Sequence, residues 1–400
     1  MSTDESLRNH LDGHCHRRLR GTAAIAGLLG ARPGKPAVLL VAILATAACA
    51  SSGGGGADAP LPTAQPLPAS CQPTSRGAFQ LPSDKGLNYG NPITASGEWL
   101  GSRWLRPDTP AQPGWNAARP RFQADLDFIA SHNLGRVLRL FVTLDQLMVW
   151  DEDRGFVRFN DASLANLTQA FEMLDAHHLR VFAVLFDQEV VSSPGNFRFQ
   201  ALDGSHPAMR AGYLRALDVF LRRFGSRPTV LGWDLFNEPY NLLGREGGLR
   251  NPPNPDPVSP NFSDRTVRAW ILDEYRTARC AAPNAWFTVS DTTELYWRTP
   301  PDTRLYAGAL DYYDIHVYTD HPTPRDWRTT LDKPYVLAEV GGSVDGGLHD
   351  VSVNARVVGF WLAQAPGLGA RAVLAQQEGP GIYSLTGGLT QAGQVVAAAP

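Results

Sequence analysis

The sequence is poor in cysteine and lacks the short motifs that mark several common kinds of site. It has 4 cysteines among 400 residues, and none are paired at a zinc-binding spacing. It contains no H-E-x-x-H motif, EF-hand loop, G-x-G-x-x-G turn or G-x-S-x-G elbow. The sequence therefore predicts no metal site, no bound cofactor and no serine triad.

An excess of charge of one sign is also missing. Lysine and arginine number 36 against 39 aspartates and glutamates, which gives a formal net charge of −3 at pH 7. No basic stripe alternates with aromatic residues. We therefore expect no nucleic-acid partner and no electrostatic attraction to an anionic membrane. Hydrophobic residues are plentiful at 43%, which is enough for a large core.

The first 49 residues have the order of an export signal. Arginines and Lys35 precede the apolar run PAVLLVAILATAACA, which is too short for a comfortable membrane span. Cys49 in this run resembles the lipidated cysteine of a bacterial lipoprotein, although Thr46 stands where such signals usually have leucine. Two outcomes stay open: a cell-surface lipoprotein held by lipid on Cys49, or cleavage and secretion. Membrane contact is expected through such an anchor alone, and we expect a monomer.

Residues 50–75 are rich in glycine, serine, alanine and proline and have almost no large apolar side chains. That composition predicts a flexible linker, with the folded domain in residues 76–400. Cys71 and Cys280 remain once the export segment is set aside. In an exported protein they form either a disulfide or two unpaired buried thiols.

Eight short apolar runs, mostly separated by segments with helical periodicity, follow from about residue 84. They are KGLNYG, RVLRLFV, RVFAVLFD, TVLGWDLFNEP, WFTVSDTT, YYDIHVY, PYVLAEVGG and RAVLAQQ. Nearly continuous apolar runs are typical of parallel strands covered on both faces. The pattern predicts an α/β fold, a single (β/α)8 TIM barrel, because an open doubly wound sheet usually begins with a glycine-rich turn.

Polar residues stand at the carboxyl ends of these runs, where a barrel of this kind has its active site. The second run supplies Arg139, the fourth Asn237 and Glu238, the sixth His316 and Tyr318, the seventh Glu339, and the eighth Gln376 and Gln377. The third and fifth supply Asp187 and Asp291. Glu238 and Glu339 would face each other across the barrel mouth. Two carboxyl groups about 5–5.5 Å apart are the apparatus of a retaining glycosidase.

The motifs GWDLFNEP and VLAEVG, in this order, resemble clan A glycoside hydrolases and most closely glycoside hydrolase family 5. The resemblance spans about residues 84–380 and rests mostly on short motifs. It implies that Glu238 is the general acid/base, that Glu339 is the nucleophile, and that Asn237 contacts the sugar 2-hydroxyl. The substrate implied is a β-linked carbohydrate, with β-mannan first and β-1,4-glucan next.

The same resemblance assigns supporting roles. Tyr318 would hydrogen-bond the nucleophile, His316 would line the sugar site and Arg139 would support the nucleophile. Structural alternatives stay open for two of them: His316 as a core histidine bonded to backbone, and Arg139 as an arginine that only bridges carboxylates. The glutamates themselves could be ion-pair partners.

The chain departs from the family pattern at two strand ends. The family usually has a tryptophan at the end of the eighth strand and often a histidine after the third, where this sequence has Gln376 and Asp187. Gln376 is either a replacement sugar contact or a structural residue. The departure motivates a competing function: a catalytically silent, carbohydrate-binding surface lipoprotein on the same barrel.

Overall fold

Eight parallel strands close into a barrel in the computed structural model of this chain. The structure describes residues 61–74, 77, 79, 84–92, 94, 100, 103–187, 197–204, 206–243, 262–296, 298, 301–319, 321–342, 351–377, 381–384 and 387–400. The predicted export segment 1–49, with Cys49, and residues 50–60 of the predicted linker lie outside these ranges. Residues Pro62–Pro400 form one compact unit.

All eight predicted runs form barrel strands, so the predicted TIM barrel is confirmed. The strands are β1 (Asp84–Gly90), β2 (Val137–Phe141), β5 (Arg180–Val184), β6 (Val230–Asn237), β7 (Phe287–Thr292), β8 (Tyr313–Tyr318), β9 (Tyr335–Gly341) and β10 (Ala372–Gln376). Their order around the barrel is β1-β10-β9-β8-β7-β6-β5-β2. The remaining two strands, β3 (Met148–Asp151) and β4 (Gly155–Phe159), form a separate antiparallel hairpin that lies outside the eight predicted runs.

Eight helices accompany the strands in the described part of the chain. They are α1 (Trp115–Ser131), α2 (Asp161–Ala176), α3 (Phe197–Asp203), α4 (Pro207–Phe224), α5 (Asp264–Ala281), α6 (Thr293–Tyr296), α7 (Val351–Gln364) and α8 (Gln391–Ala398). No helix of the described residues is long and apolar enough to cross a membrane.

Polar side chains start two of the longer helices. The Asn160 side chain accepts a hydrogen bond from the Ser163 amide at the start of α2. The sequence pattern predicts Asp161 as the capping residue, but Asp161 is the first residue of the helix. At that position its negative charge interacts favourably with the positive end of the helix dipole. Ser263 caps α5 in the same way as Asn160 caps α2.

The barrel interior is filled by residues spaced two apart on the strands, as side chains on one face of a strand are. One core cluster comprises Phe79, Val137, Phe182, Leu231, Tyr312, Val336, Ala338, Ala372 and Leu374. The Phe79 ring stacks on Tyr312 with 4.5 Å between ring centroids. Tyr312 fits because β6 has Gly232 opposite it: a Cβ there would lie 2.3 Å from the tyrosine hydroxyl.

The segment before β1 is fastened to the barrel unit. Cys71 and Cys280 form a disulfide that joins this segment to α5. Arg268 of α5 donates to the Pro62 carbonyl at 2.6 Å, and the Thr74 amide donates to the Asn284 side chain at 3.0 Å. Residues 62–74 of the predicted linker therefore pack on the domain, a feature that their composition does not predict.

Candidate active site

The seven residues predicted from the motifs lie at or near the carboxyl ends of barrel strands. Asn237 ends β6 and Glu238 follows it, while Gln376 ends β10. Arg139, His316, Tyr318 and Glu339 belong to β2, β8 and β9. The fold thus brings together residues that lie up to 237 positions apart, between Arg139 and Gln376.

Glu238 and Glu339 face each other at this end of the barrel. One carboxylate oxygen of each lies within 4.8 Å of the other, and a ring nitrogen of His316 lies within the same distance of both. This separation is compatible with the carboxyl spacing of about 5–5.5 Å in retaining glycosidases. Glu339 is buried and Glu238 is partly exposed, with 15% of its side chain accessible.

Glu339 is held by two donors on its two oxygens. An Nη of Arg139 donates to Oε1, and the Tyr318 hydroxyl donates to Oε2 at 2.6 Å. A cation and a hydroxyl donor compensate negative charge on this carboxylate and fix its plane. These are the surroundings that an ionised nucleophile requires.

Glu339 is turned toward these donors by an irregularity in strand pairing. Ile315 pairs with Leu337, but His316, the next residue, pairs with Glu339, two positions further on. Ala338 belongs to the core cluster and Glu339 reaches Arg139, so two consecutive side chains of β9 turn inward. Irregularities of this kind re-aim side chains next to active sites.

Glu238 has different partners from Glu339. Its Oε1 lies 2.7 Å from Nδ1 of His316, and its Oε2 accepts from the Asn241 side chain at 2.9 Å. Burial lowers the pKa of His316 to about 4, so the imidazole is neutral near pH 7. A neutral ring and an amide leave Glu238 able to carry a proton, as a general acid does.

The backbone at Glu238 is left-handed, with φ 51° and ψ 48°, which is uncommon for a residue other than glycine. The Glu238 amide donates to the Ser290 carbonyl at 3.0 Å. One carboxylate oxygen of Asp291 accepts from the Tyr240 amide at 3.0 Å and from the Tyr306 hydroxyl. Asp291 therefore holds the turn that presents Glu238.

Arg139 of β2 is fully buried and joins this strand to three others, β6, β7 and β9. It donates to Asp234 and to Asn237 Oδ1, each at 2.7 Å, in addition to Glu339. Burial alone would lower the pKa of Arg139, but the carboxylates of Glu339 and Asp234 raise it, so the guanidinium stays charged. Arg139 thus bridges the carboxylates of Asp234 and Glu339, and its support of a nucleophile stays a prediction.

Gln376 and Asp187 have structural contacts at the same end of the barrel. The Asn88 side chain of β1 donates to Gln376 Oε1 at 2.5 Å, and Asn237 donates to Asp187 at 3.0 Å. Gln377 accepts from the Ile382 and Tyr383 amides, each at 3.2 Å, and so supports backbone.

Four residues of this network were missed in the sequence: Asn88, Asp234, Ser290 and Asp314. A signal existed for Asp314, since it stands two positions before His316 and therefore on the same face of β8. Asp234 and Ser290 are both buried, and they are joined by a hydrogen bond of 2.5 Å between the serine hydroxyl and the carboxylate. The pairing depends on contacts between strands, which a pattern within one strand does not reveal.

The trio of Glu238, His316 and Glu339 also has the residue types that bind metal ions. Its atoms are engaged with one another and with Arg139 and Tyr318. A cation such as Arg139 beside Glu339 already compensates its charge, so we describe the trio as a hydrogen-bonded group and assign no metal to it.

No protein-family profile matches this chain, and no relative is found among curated proteins. Solved structures do match. A β-mannanase from the blue mussel Mytilus edulis has a TM-score of 0.58 at 14% identity, over 79% of this chain and 91% of that one. A GH5_18 protein from Streptomyces cattleya, solved with GlcNAc, has a TM-score of 0.58 at 16% identity, over 80% of each chain.

A β-1,4-D-mannanase from Cryptopygus antarcticus is similar too, with a TM-score of 0.55 at 16% identity over 78% of this chain and 89% of that one. The barrel fold is shared. At these identities the likeness concerns the fold, and the names of the neighbours agree with the family that the sequence motifs resemble.

Proposed function

We propose that this chain is a retaining glycoside hydrolase of family 5 type that cleaves β-linked poly- or oligosaccharides. The observation that carries the proposal is the pair Glu238 and Glu339, with one oxygen of each within 4.8 Å of the other near the carboxyl ends of β6 and β9. The two carboxyl groups have unlike partners, which gives them unlike roles.

In the proposed first step, Glu339 attacks the anomeric carbon and Glu238 gives its proton to the leaving oxygen. The glycosidic bond breaks and a covalent bond forms between the sugar and Glu339. In the second step Glu238 takes a proton from water, the water oxygen attacks the anomeric carbon, and the bond to Glu339 breaks. Asn237 has a second amide hydrogen besides the one bonded to Asp187, which suits a sugar hydroxyl.

We propose a β-mannosyl substrate first and a β-1,4-glucan second. The support is the set of similar structures, among which are β-mannanases and a GH5_18 variant from Bifidobacterium longum solved with Manb1-4GlcNAc. Hydrolysis of mannan, glucan, xylan and aryl β-glycosides should be measured side by side. Xylan as the preferred substrate would contradict the choice of sugar but not the mechanism.

The mechanism is tested with Glu339→Ala. We expect hydrolysis to be abolished while a cooperative thermal unfolding transition is kept, because Asp234 still pairs with the buried guanidinium of Arg139. Glu172→Ala is the matched control, since Glu172 is exposed on α2. An unchanged rate in Glu339→Ala would remove the mechanism, and a first product of inverted anomeric configuration would remove the retaining pathway.

The silent carbohydrate-binding lipoprotein is the second candidate, and it rests on Gln376 in place of an aromatic residue. The two candidates differ in one assay: a silent protein would bind an aryl β-glycoside without releasing the chromophore. For localisation we propose export with lipid on Cys49, supported by the basic and apolar order of residues 1–49. Cell fractionation of wild type and Cys49→Ser tests this, since loss of the anchor should move the protein out of the membrane fraction.

A further inference from the structure

Four polar atoms beneath the two glutamates are buried and have no hydrogen-bond partner among the described residues. They are both carboxyl oxygens of Asp314, Nε2 of His316 and Nε of Arg139. The atoms face one another: Nε2 of His316 lies 3.6 Å from Asp314 Oδ1, and Nε of Arg139 lies 3.9 Å from Asp314 Oδ2. Both distances exceed that of a hydrogen bond, so pairing of these atoms requires each contact to shorten by roughly 0.5–1 Å.

The charges around Asp314 favour its neutral form. Arg139 is the cation that faces Asp314, and it already binds the carboxylates of Asp234 and Glu339. A third carboxylate with no exposure would add an uncompensated buried charge. Burial raises the pKa of Asp314 well above its usual range, Arg139 opposes this, and the nearby carboxylates add to it; these are Asp234, Glu339 and Glu238.

A neutral Asp314 has one proton to donate, and of Arg139 and His316, which lie 3.9 Å and 3.6 Å from its oxygens, only His316 can accept it. Arg139 Nε carries a hydrogen and has no lone pair, so it donates to the other carboxyl oxygen. The acceptor is therefore His316 Nε2. A neutral imidazole that accepts at Nε2 carries its hydrogen on Nδ1, the atom that lies 2.7 Å from Glu238 and 3.5 Å from Glu339.

We propose that Asp314 is a positioning residue that, through Nε2 of His316, fixes the Nδ1–H tautomer of that ring, so that His316 donates to Glu238. The inference rests on the proposed function in so far as it concerns catalysis. A donor at Nδ1 occupies Oε1 of Glu238 whether that carboxyl is protonated or ionised. The proton that moves during the reaction is then confined to Oε2, the oxygen that also accepts from the Asn241 side chain.

The tautomer can be measured without any substrate. Imidazole nitrogens that carry hydrogen differ strongly in 15N chemical shift from those that do not, and His316→Gln identifies the signals of this ring. In the full-length, 15N-histidine-labelled protein at pH 7 we expect hydrogen on Nδ1 and none on Nε2. Hydrogen on Nε2 would overturn the proposal, even if the chain is an active glycosidase.

Two substitutions test the consequence for catalysis. Asp314→Asn stays neutral and keeps a donor, so kcat on an aryl β-glycoside should remain within about threefold of wild type with the Nδ1–H tautomer kept. Asp314→Ala removes the donor, and kcat should fall by about tenfold or more while KM changes little. An Asn variant as impaired as the Ala variant, or an Ala variant as active as wild type, would overturn the proposal. If wild type itself shows no turnover, the proposed function fails while the 15N result still decides the tautomer.

Discussion

Removal of the Tyr318 hydroxyl is the smallest change that tests the site, because it deletes one donor to Glu339. The bond is 2.6 Å long and ends on Oε2, whereas Arg139 holds Oε1. A hydrogen bond to a charged group contributes about 1.5–3 kcal/mol. Tyr318 is only half-buried, so water can replace part of the loss and we use the lower end of that range. Since about 1.4 kcal/mol corresponds to a factor of 10 in rate, Tyr318→Phe should lower kcat by about tenfold.

The assay is release of chromophore from an aryl β-glycoside, with kcat and KM determined separately. Tyr313→Phe is the matched control: it loses the same atom from β8, but its hydroxyl donates to Asp332 at 2.7 Å. Five positions separate the two tyrosines, so their side chains leave opposite faces of the strand. The control should keep kcat and lose about 1 kcal/mol of unfolding free energy. A kcat for Tyr318→Phe within about twofold of wild type would refute the reasoning about Glu339.

Two further predictions concern stability. Glu274 is buried on α5 and burial raises its pKa well above the usual range, so the folded state keeps a proton that the unfolded chain loses above about pH 4.5. Stability contributed by this group therefore falls as pH rises. The melting temperature of Glu274→Gln, relative to that of wild type, should rise between pH 5 and pH 8. A difference in melting temperature that does not depend on pH would contradict this. Replacing Cys71 and Cys280 by serine should lower the unfolding free energy by about 2–5 kcal/mol in denaturant titrations and leave kcat unchanged. Identical midpoints for oxidised and reduced wild type would refute that.

The barrel, and the placement of the seven predicted site residues at or near the carboxyl ends of its strands, could be predicted from the sequence because each depends on a local pattern. Apolar runs define the strands, and parallel β/α alternation places their carboxyl ends together. The hairpin of β3 and β4 also had a signal, since aspartate and glycine, residue types common in turns, stand at the facing ends of two strand-like runs as Asp151 and Gly155. Asp151 accepts from the Asp153 and Arg154 amides, as turn aspartates do.

Other features depend on contacts that no local pattern carries. Residues 62–74 contact the domain through hydrogen bonds of their backbone groups and a disulfide. This packing therefore does not require large apolar side chains, which the segment largely lacks. The raised pKa of Asp314 follows from burial and from the carboxylates of Asp234 and Glu339, which belong to other strands. A single sequence names these residues but does not place them beside one another.

Closure of the barrel has a consequence for how the chain reaches its native state. β1 pairs with β2 and with β10, so the first strand stays open on one edge until the last strand is available, nearly the whole domain later. Pairings between such distant segments are slow to form, and an unpaired edge invites association with other chains. A chain shortened before Ala372 would keep Glu238 and Glu339 but lose the partner of β1. We expect it to aggregate on refolding, which light scattering would detect.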